Sequence, residues 1–481
     1  MNTPDTPRIR TRFAPSPTGF MHVGSVRTAL FAWLLARKYN GDFILRLEDT
    51  DQKREVEGSD AHIVATLNAL GLHYDEGPNI GGDYGPYRQS DRLATYHAWA
   101  QKLIDDGRAY ADPYSQSELD GFRDQAKAAK KAFLFRHHRP ENPPAWDGST
   151  PLRLKSDPKA YSWHDAVMGE LSTGPEVIDD IILIKSDGFP TYNFAHIVDD
   201  AEMKVTHIIR GQEFISSMPN YLNIYDALGI ERPVFATVPH IMAESGAKKL
   251  GKRDGAKDVL DYLKNGYLPE TMLNFIASLG WNDGTEQELF SLDELIEKFS
   301  LERVQHSGAR FDEKRLEWMN GQHIRLLSLQ DLAQRVEAFW PEAALDADEN
   351  YREHVLGLAQ DRLKTMADLT VLTSYFFTEP NPNWQMVDDN KQLAKLGREE
   401  QVGLLQAAAT ALEQSDFDAD AVQASLNQLL ETTGQKPGIL FSLIRLAITW
   451  APFSPALHET LATLGKDRSI GRLHDAIDAA K

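Results

Sequence analysis

The N-terminal part of the chain alternates between two rhythms. Apolar and β-branched residues recur in the short run Ile9–Phe13. A helical spacing of apolar positions follows over Val26–Tyr39 and closes on Asn40-Gly41. Phe43–Leu47 is strand-like again, and a second helical pattern runs to Leu70-Gly71. Apolar residues at i, i+3 and i+4 mark helices, and short β-branched runs between turn residues mark strands. Their alternation predicts a parallel sheet of the nucleotide-binding kind with helices on its faces. From Gly77 to Asp187 the pattern is irregular, broken by Gly81-Gly82, Pro140, Pro143-Pro144 and Gly148. Strand signals return at Val205–Ile209 and Val234–Val238, so the sheet is expected to be discontinuous in sequence. Past Leu260 helical spacing dominates, in Leu268–Leu279, Leu292–Phe299 and almost everything from Val355 to Ala480. The polar, acidic segment Pro341–Asn350 reads as a hinge.

The 481 residues are enough for about three or four domains. Hydrophobic (42%) and charged (25%) fractions are ordinary. A formal net charge of −20 means that a polyanionic partner must dock on a restricted basic face, with binding that weakens as salt rises. The densest basic stretch is Lys127-Ala-Ala-Lys130-Lys131, followed by Arg136-His137-His138-Arg139; the alternative is a solvated helix face. The chain has no cysteine, which excludes disulfides and thiolate metal sites. The polar N-terminus lacks the apolar core of a signal peptide, and no stretch has the length of a membrane span. A cytoplasmic protein with no membrane partner is expected.

Two segments carry the chemistry. The run Ala14-Pro15-Ser16-Pro17-Thr18-Gly19 separates the first strand pattern from His22-Val23-Gly24-Ser25, which opens the first helix. A strand, a tight turn and a helix N-terminus form an anion site, because unpaired N–H groups and the helix dipole face the turn. Far downstream, Lys249-Leu250-Gly251-Lys252-Arg253 is a glycine-containing basic loop able to bring ammonium groups onto a triphosphate. Taken alone, a histidine before a helix reads more readily as structural than as catalytic.

Together these segments resemble the HIGH and KMSKS signatures of class I aminoacyl-tRNA synthetases. Arg12–Gly19, Arg46–Asp51, Pro190-Thr191-Tyr192, Ile209–Glu213 and Phe311–Asn320 narrow the resemblance to bacterial-type glutamyl-tRNA synthetases, densely from Arg8 to about Leu327. The resemblance implies an α/β Rossmann-type catalytic domain with an α+β acceptor-binding insertion, then a mostly helical stem-contact domain and an all-α anticodon-binding region. The implied boundaries are 1–76 and 189–245 for the two catalytic halves, 77–188 for the insertion, 246–328 for the stem-contact domain and 329–481 for the anticodon region. It implies adenylate formation from L-glutamate and ATP with Mg²⁺, then transfer to tRNA(Glu), by a monomer; charging of tRNA(Gln) stays open. Related enzymes that carry a cysteine-based zinc site place it after the segment that here reads Ala109–Tyr114, so no structural zinc is expected.

Residue by residue, the resemblance implies that His22, Lys249 and Lys252 are catalytic and, with Gly24 and Glu213, hold ATP. Arg12, Ala14, Ser16, Glu48, Tyr192 and Arg210 would hold glutamate. That amino acid needs two cations and one anion, since burying an unpartnered carboxylate is prohibitive. Arg12 and Arg210 supply the cations, Arg210 favoured for the side chain, and Glu48 the anion. Lys130, Lys131 and Arg362 are candidate tRNA contacts. Asp49, Asp51 and Asp199-Asp200 read as residues that cap helices or orient arginines. Trp318-Met319-Asn320 reads as core. The chain departs from the signatures at Ser25, which suits a helix cap, and at Gly251. Three alternatives fit the sequence less well. A shortened paralogue that modifies tRNA(Asp) lacks the helical region from Leu327 on. A glutaminyl enzyme carries a neutral residue at the place of Arg210. A silent RNA-binding protein would not require the pocket residues.

Overall fold

The computed structural model describes residues 8–246, 248–251, 258–451 and 453–480. Strand β1 (Arg10–Phe13) pairs in parallel with β2 (Asp42–Leu45), Arg12 opposite Ile44, and α1 (Val23–Lys38) makes the crossover. Val26, Leu30, Phe31 and Leu34 of α1 are fully buried, as are Ala29 and Ala32, as expected of a helix that is apolar nearly all round. Asn40 and Gly41 end it for separate reasons. Asn40 takes the left-handed conformation (φ 51°) that Asn tolerates. At Gly41 a Cβ would lie 2.1 Å from the Ile9 carbonyl oxygen.

After α2 (Ser59–Ala69) and α3 (Leu93–Asp105), strand β3 (Ala109–Ala111), helix α4 (Gln116–Ala128) and strands β4 (Leu152–Leu154), β5 (Tyr161–Asp165), β6 (Gly169–Thr173) and β7 (Ile182–Ile184) follow. Then come α5 (Tyr192–Glu202), β8 (His207–Gly211), α6 (Met218–Leu228) and β9 (Val234–Val238). The main sheet has the order β2-β1-β8-β9-β5-β6, and β3-β4-β7 form a separate antiparallel sheet. The segment 77–188 thus feeds both sheets. Its β5–β6 hairpin extends the main one, Asp165 opposite Phe235, and Asp165 fixes that edge by accepting from the Thr237 backbone N–H (3.0 Å) and hydroxyl (2.6 Å).

Strand β1 has β2 on one side and β8 on the other. Open parallel sheets bind ligands outside the strand carboxyl ends at such a reversal of order. Here Phe13-Ala14 leaves β1 and Arg210-Gly211 ends β8. Beneath it lies an aromatic core that includes Tyr96, Phe194, Tyr221, Tyr225 and Phe235.

The chain divides into two compact units, Met1–Tyr262 with Met272–Asp312, and Leu263–Thr271 with Glu313–Lys481. The described residues of the second contain helices and no strand. Helices Arg398–Glu413, Ala419–Thr433, Pro437–Thr449 and Lys466–Asp478 share one apolar core, and Leu268, Ile324, Leu332 and Leu356 belong to a second. Pro341–Asn350, read above as a hinge, lies inside this unit, where Ala344 is buried. Met319 and Asn320 are core as expected, but Trp318 is 46% exposed. Asn320 works as a clamp, accepting from Leu268 N–H (2.9 Å) and donating to the Lys364 carbonyl (2.6 Å).

Candidate active site

Helix α1 is capped by His22. Its Nδ1 accepts from the backbone N–H groups of Gly24 (3.1 Å) and Ser25 (3.4 Å). Ser25, read above as suited to the cap, sits inside the first turn instead. Since Nδ1 is an acceptor, the neutral ring carries its proton on Nε2, the atom 3.4 Å from Ser25 Oγ. Gly24 is tight for the same reason: a Cβ there would stand 3.2 Å from the imidazole.

A cavity of about 350 Å³ opens beside this cap, at the carboxyl ends of β1 and β8. Arg12, Ala14, Ser16, Glu48, Tyr192 and Arg210 line one part of it; His22, Gly24, Glu213 and Lys249 line the rest. Lys252 lies outside the described residues.

Arg210 decides what the cavity can hold. It is 5% exposed, and none of its three guanidinium nitrogens has a hydrogen-bond partner among the described residues. Phe214, Tyr221 and Phe235 surround it with ring centroids 5.6, 5.2 and 5.7 Å from Cζ. Rings soften a buried cation but do not replace a carboxylate. Arg210 pairs with neither Asp49 nor Glu213. Asp49 accepts from Ser90 N–H (2.8 Å) and hydroxyl (2.6 Å).

Arg12 differs: its Nε donates to Asp200 Oδ1 (3.1 Å), which also accepts from Arg46 Nη1 (2.7 Å). Arg46, fully buried, also donates from Nη2 to Glu48 Oε1 (2.8 Å). All hydrogen bonds to the Glu48 carboxylate among the described residues fall on Oε1, leaving Oε2 for a cationic ligand. Burial pushes the Glu48 carboxyl up, against the pull of Arg46. Burial also acts against ionisation of Asp200, yet Arg12 and Arg46 hold it well below the usual carboxylate range. Asp199 in turn accepts from Arg92 (2.7 Å) and Tyr96 (2.9 Å). The paired aspartates thus orient arginines, as read from the sequence. In the sequence Arg46 stands out only as part of a motif. Its role follows from the alternation along Arg46-Leu47-Glu48, which puts both charges on one side of the chain.

His196, one turn beyond Tyr192 on α5, was missed. It is fully buried, stacks on Tyr192 at 4.8 Å, and donates from Nδ1 to the Tyr192 carbonyl (2.8 Å). Burial, reinforced by the charge of Arg210, pushes it down to about 3, so the ring is neutral. At the other end Glu213 stands 3.7 Å from Lys249 Nζ and 3.6 Å from His240 Nδ1. Arg27, also missed, is held by the Leu279 carbonyl (2.8 Å) and that of Pro239, and burial lowers it to about 10.

Residues 8–318 match the family described as class I tRNA synthetases (E and Q), catalytic domain, and residues 331–477 match an anticodon binding domain. The chain is a class I tRNA synthetase of the E and Q type. It is 40% identical over 480 residues to a glutamate–tRNA ligase of Dehalococcoides mccartyi, covering 98% of each chain. A glutamate–tRNA ligase of Chloroflexus aurantiacus is 40% identical over 491 residues, again 98% of each. A crystal structure of a glutamate tRNA ligase from Elizabethkingia meningosepticum in complex with its amino acid superposes with a TM-score of 0.87 at 32% identity, covering 98% of this chain and all of that one.

In this synthetase Lys130 and Lys131 follow α4 on the surface, exposed and without an ion pair among the described residues. Lys130 takes the left-handed conformation (φ 53°) that closes the helix, where glycine is usual. Arg136 and Arg139 of that basic run are structural. Arg139 is bidentate on Asp180 (2.5 and 2.6 Å), and Arg136 donates to the Pro175 (2.8 Å) and Ile178 carbonyls. Arg362, inside the anticodon-domain match, is exposed and has no ion pair among the described residues. Burial and then the Arg362 charge lower the guanidinium of Arg445, another residue sequence reasoning missed. Among the described residues no group of three or more His, Cys, Asp or Glu could hold a metal ion, and no helix is long and apolar enough to cross a membrane.

Proposed function

We propose that this synthetase activates L-glutamate with ATP and transfers it to the terminal adenosine of tRNA(Glu). The carrying observation is Arg210, a buried guanidinium with no hydrogen-bond partner among the described residues, opening on the same cavity as Arg12 and the free Oε2 of Glu48. The two cations and one anion match glutamate, whose side-chain carboxylate would take Arg210 bidentately. Arg12 would take the α-carboxylate and Glu48 the α-ammonium, with Tyr192, Ala14 and Ser16 shaping the wall.

In the first step an α-carboxylate oxygen attacks the α-phosphorus and pyrophosphate leaves. In the second a ribose hydroxyl of the tRNA attacks the acyl carbon and AMP leaves. Such chemistry needs positioning and charge stabilisation. His22 would donate from Nε2 to a phosphate oxygen, and Lys249 and Lys252 would carry the charge that moves onto pyrophosphate. Gly24 would admit the nucleotide and Glu213 would bind its ribose. Mg²⁺ would arrive with ATP, held by phosphates and water. Lys130, Lys131 and Arg362 would contact tRNA, with residues 77–188 as the acceptor-binding insertion, 246–328 as the stem-contact domain and 329–481 as the anticodon region. The reading is of a cytoplasmic monomer.

Charging with radiolabelled glutamate, on purified tRNA(Glu) and tRNA(Gln) from one cell, tests this. Product on tRNA(Glu) alone defines a discriminating enzyme; product on both defines a non-discriminating one that needs an amidotransferase downstream. Product on neither refutes the assignment.

A further inference from the structure

The segment that delivers His22 is fastened from outside its own helix. Asp258 follows the basic signature in sequence and forms an antiparallel bridge with His22, while Val259 N–H donates to the Met21 carbonyl (3.3 Å). The Asp258 carboxylate is divided. Oδ1 accepts from Leu260 N–H (3.0 Å), capping the short helix α7 (Val259–Lys264), and Oδ2 stands 2.6 Å from His62 Nε2. His62 comes from α2. Its other nitrogen, Nδ1, faces the Met21 N–H (3.4 Å), and its ring packs on Phe20 at a centroid distance of 4.6 Å. Both members of the pair are mostly shielded, with 13% and 18% of their side chains exposed.

One imidazole therefore holds both sides of the bridge. With Nδ1 accepting from Met21, Nε2 carries the proton and donates to Asp258. We propose that His62 is a positioning residue for adenylate formation: through Asp258 and Met21 it sets the place of His22, tying the chain that leaves the basic signature to the chain that enters the histidine signature. Neither His62 nor Asp258 lines the cavity, so the pair acts on the rate through the two segments it ties together. The inference rests on the catalytic role proposed above for His22. Misplacing a catalytic group by about 1 Å costs up to about a hundredfold in rate, and loosening one of several ties costs less.

The test measures ATP–pyrophosphate exchange in the presence of tRNA(Glu), on the full chain. His62→Ala is expected to lower kcat about tenfold while KM for glutamate stays at its wild-type value. His62→Gln keeps a donor for Asp258 and an acceptor for Met21, and is expected to recover most of the loss. Asp258→Ser keeps a cap for Leu260 N–H but removes the pair, so it should lose as much as His62→Ala. Because the two residues act as one unit, the double variant should lose no more than either single variant. Additive losses, a wild-type kcat for Asp258→Ser, or failure of His62→Gln to recover activity would each overturn the proposal. If the wild-type chain itself shows no exchange, the proposed function fails; an active wild type with insensitive variants overturns only the role of His62.

Discussion

Replacing Arg210 by methionine should make the resting protein more stable and the enzyme far worse. In the resting cavity the guanidinium is 5% exposed, has no hydrogen-bond partner on any of its nitrogens among the described residues, and faces three aromatic rings. A buried ion without a counter-ion costs several kcal/mol, and cation–π contacts return about 0.5–2 kcal/mol each. An apolar side chain of similar length removes that residual cost, a gain of roughly 1–3 kcal/mol. With glutamate bound the balance reverses, because the variant leaves a buried carboxylate unpaired at a cost of about 3–5 kcal/mol. That corresponds to a loss of roughly 10²–10⁴ in kcat/KM for glutamate. Glutamine brings no charge to the site, so its already poor use should change little. Exchange assays with both amino acids give the catalytic arm, and thermal unfolding with and without glutamate gives the other. Equal losses for glutamate and glutamine, or a destabilised resting protein, would refute the assignment of Arg210 to the side-chain carboxylate.

Lys252→Ala should depress adenylate formation by about 10²–10³ while leaving tRNA affinity nearly unchanged; a large loss in a tRNA filter-binding assay would contradict its role. Lys130→Glu with Lys131→Glu should weaken tRNA binding and flatten its dependence on salt, as expected when phosphate contacts are lost; an unchanged slope of log Kd against log salt would remove these lysines from the interface. His196 gives a pH signature. Burial and the nearby Arg210 charge lower it from 6.5 to about 3, so the unfolded chain binds a proton through that window and the folded one does not. Its contribution is complete above about pH 6.5 and is lost as pH falls toward 3, by at most about 1.4 kcal/mol per unit. Urea unfolding between pH 7 and 4 should show this slope reduced in His196→Gln, and an unaltered slope would rule the residue out.

How much of this was legible in the sequence varied with the kind of order involved. Strands β1 and β9 and helix α1 were readable because buried parallel strands and all-round apolar helices leave continuous apolar text. The hairpin β5–β6 was not read. Tyr161, Trp163 and Asp165 do alternate inward, but one buried position holds a carboxylate and the run is short. The pocket residues were readable only through motif resemblance. Nothing in spacing alone brings Arg12 and Arg210 to neighbouring strand ends, since strand order is set by long-range pairing. The supports for the pocket stayed hidden for the same reason. Arg46 and Asp200 meet across 154 residues, and Arg27 reaches Leu279 across 252. Of the basic run, Lys130 and Lys131 are exposed while Arg136 and Arg139 serve the fold. The difference lies in which of them meets Asp180 or a carbonyl, and composition does not carry that.

The most direct test of the central claim is ATP–pyrophosphate exchange with glutamate or glutamine as the amino acid, each with and without tRNA(Glu). Exchange is expected with glutamate, dependent on tRNA as the family resemblance implies, and is expected to be negligible with glutamine. Comparable exchange with glutamine, or none with glutamate in the presence of tRNA, would contradict it.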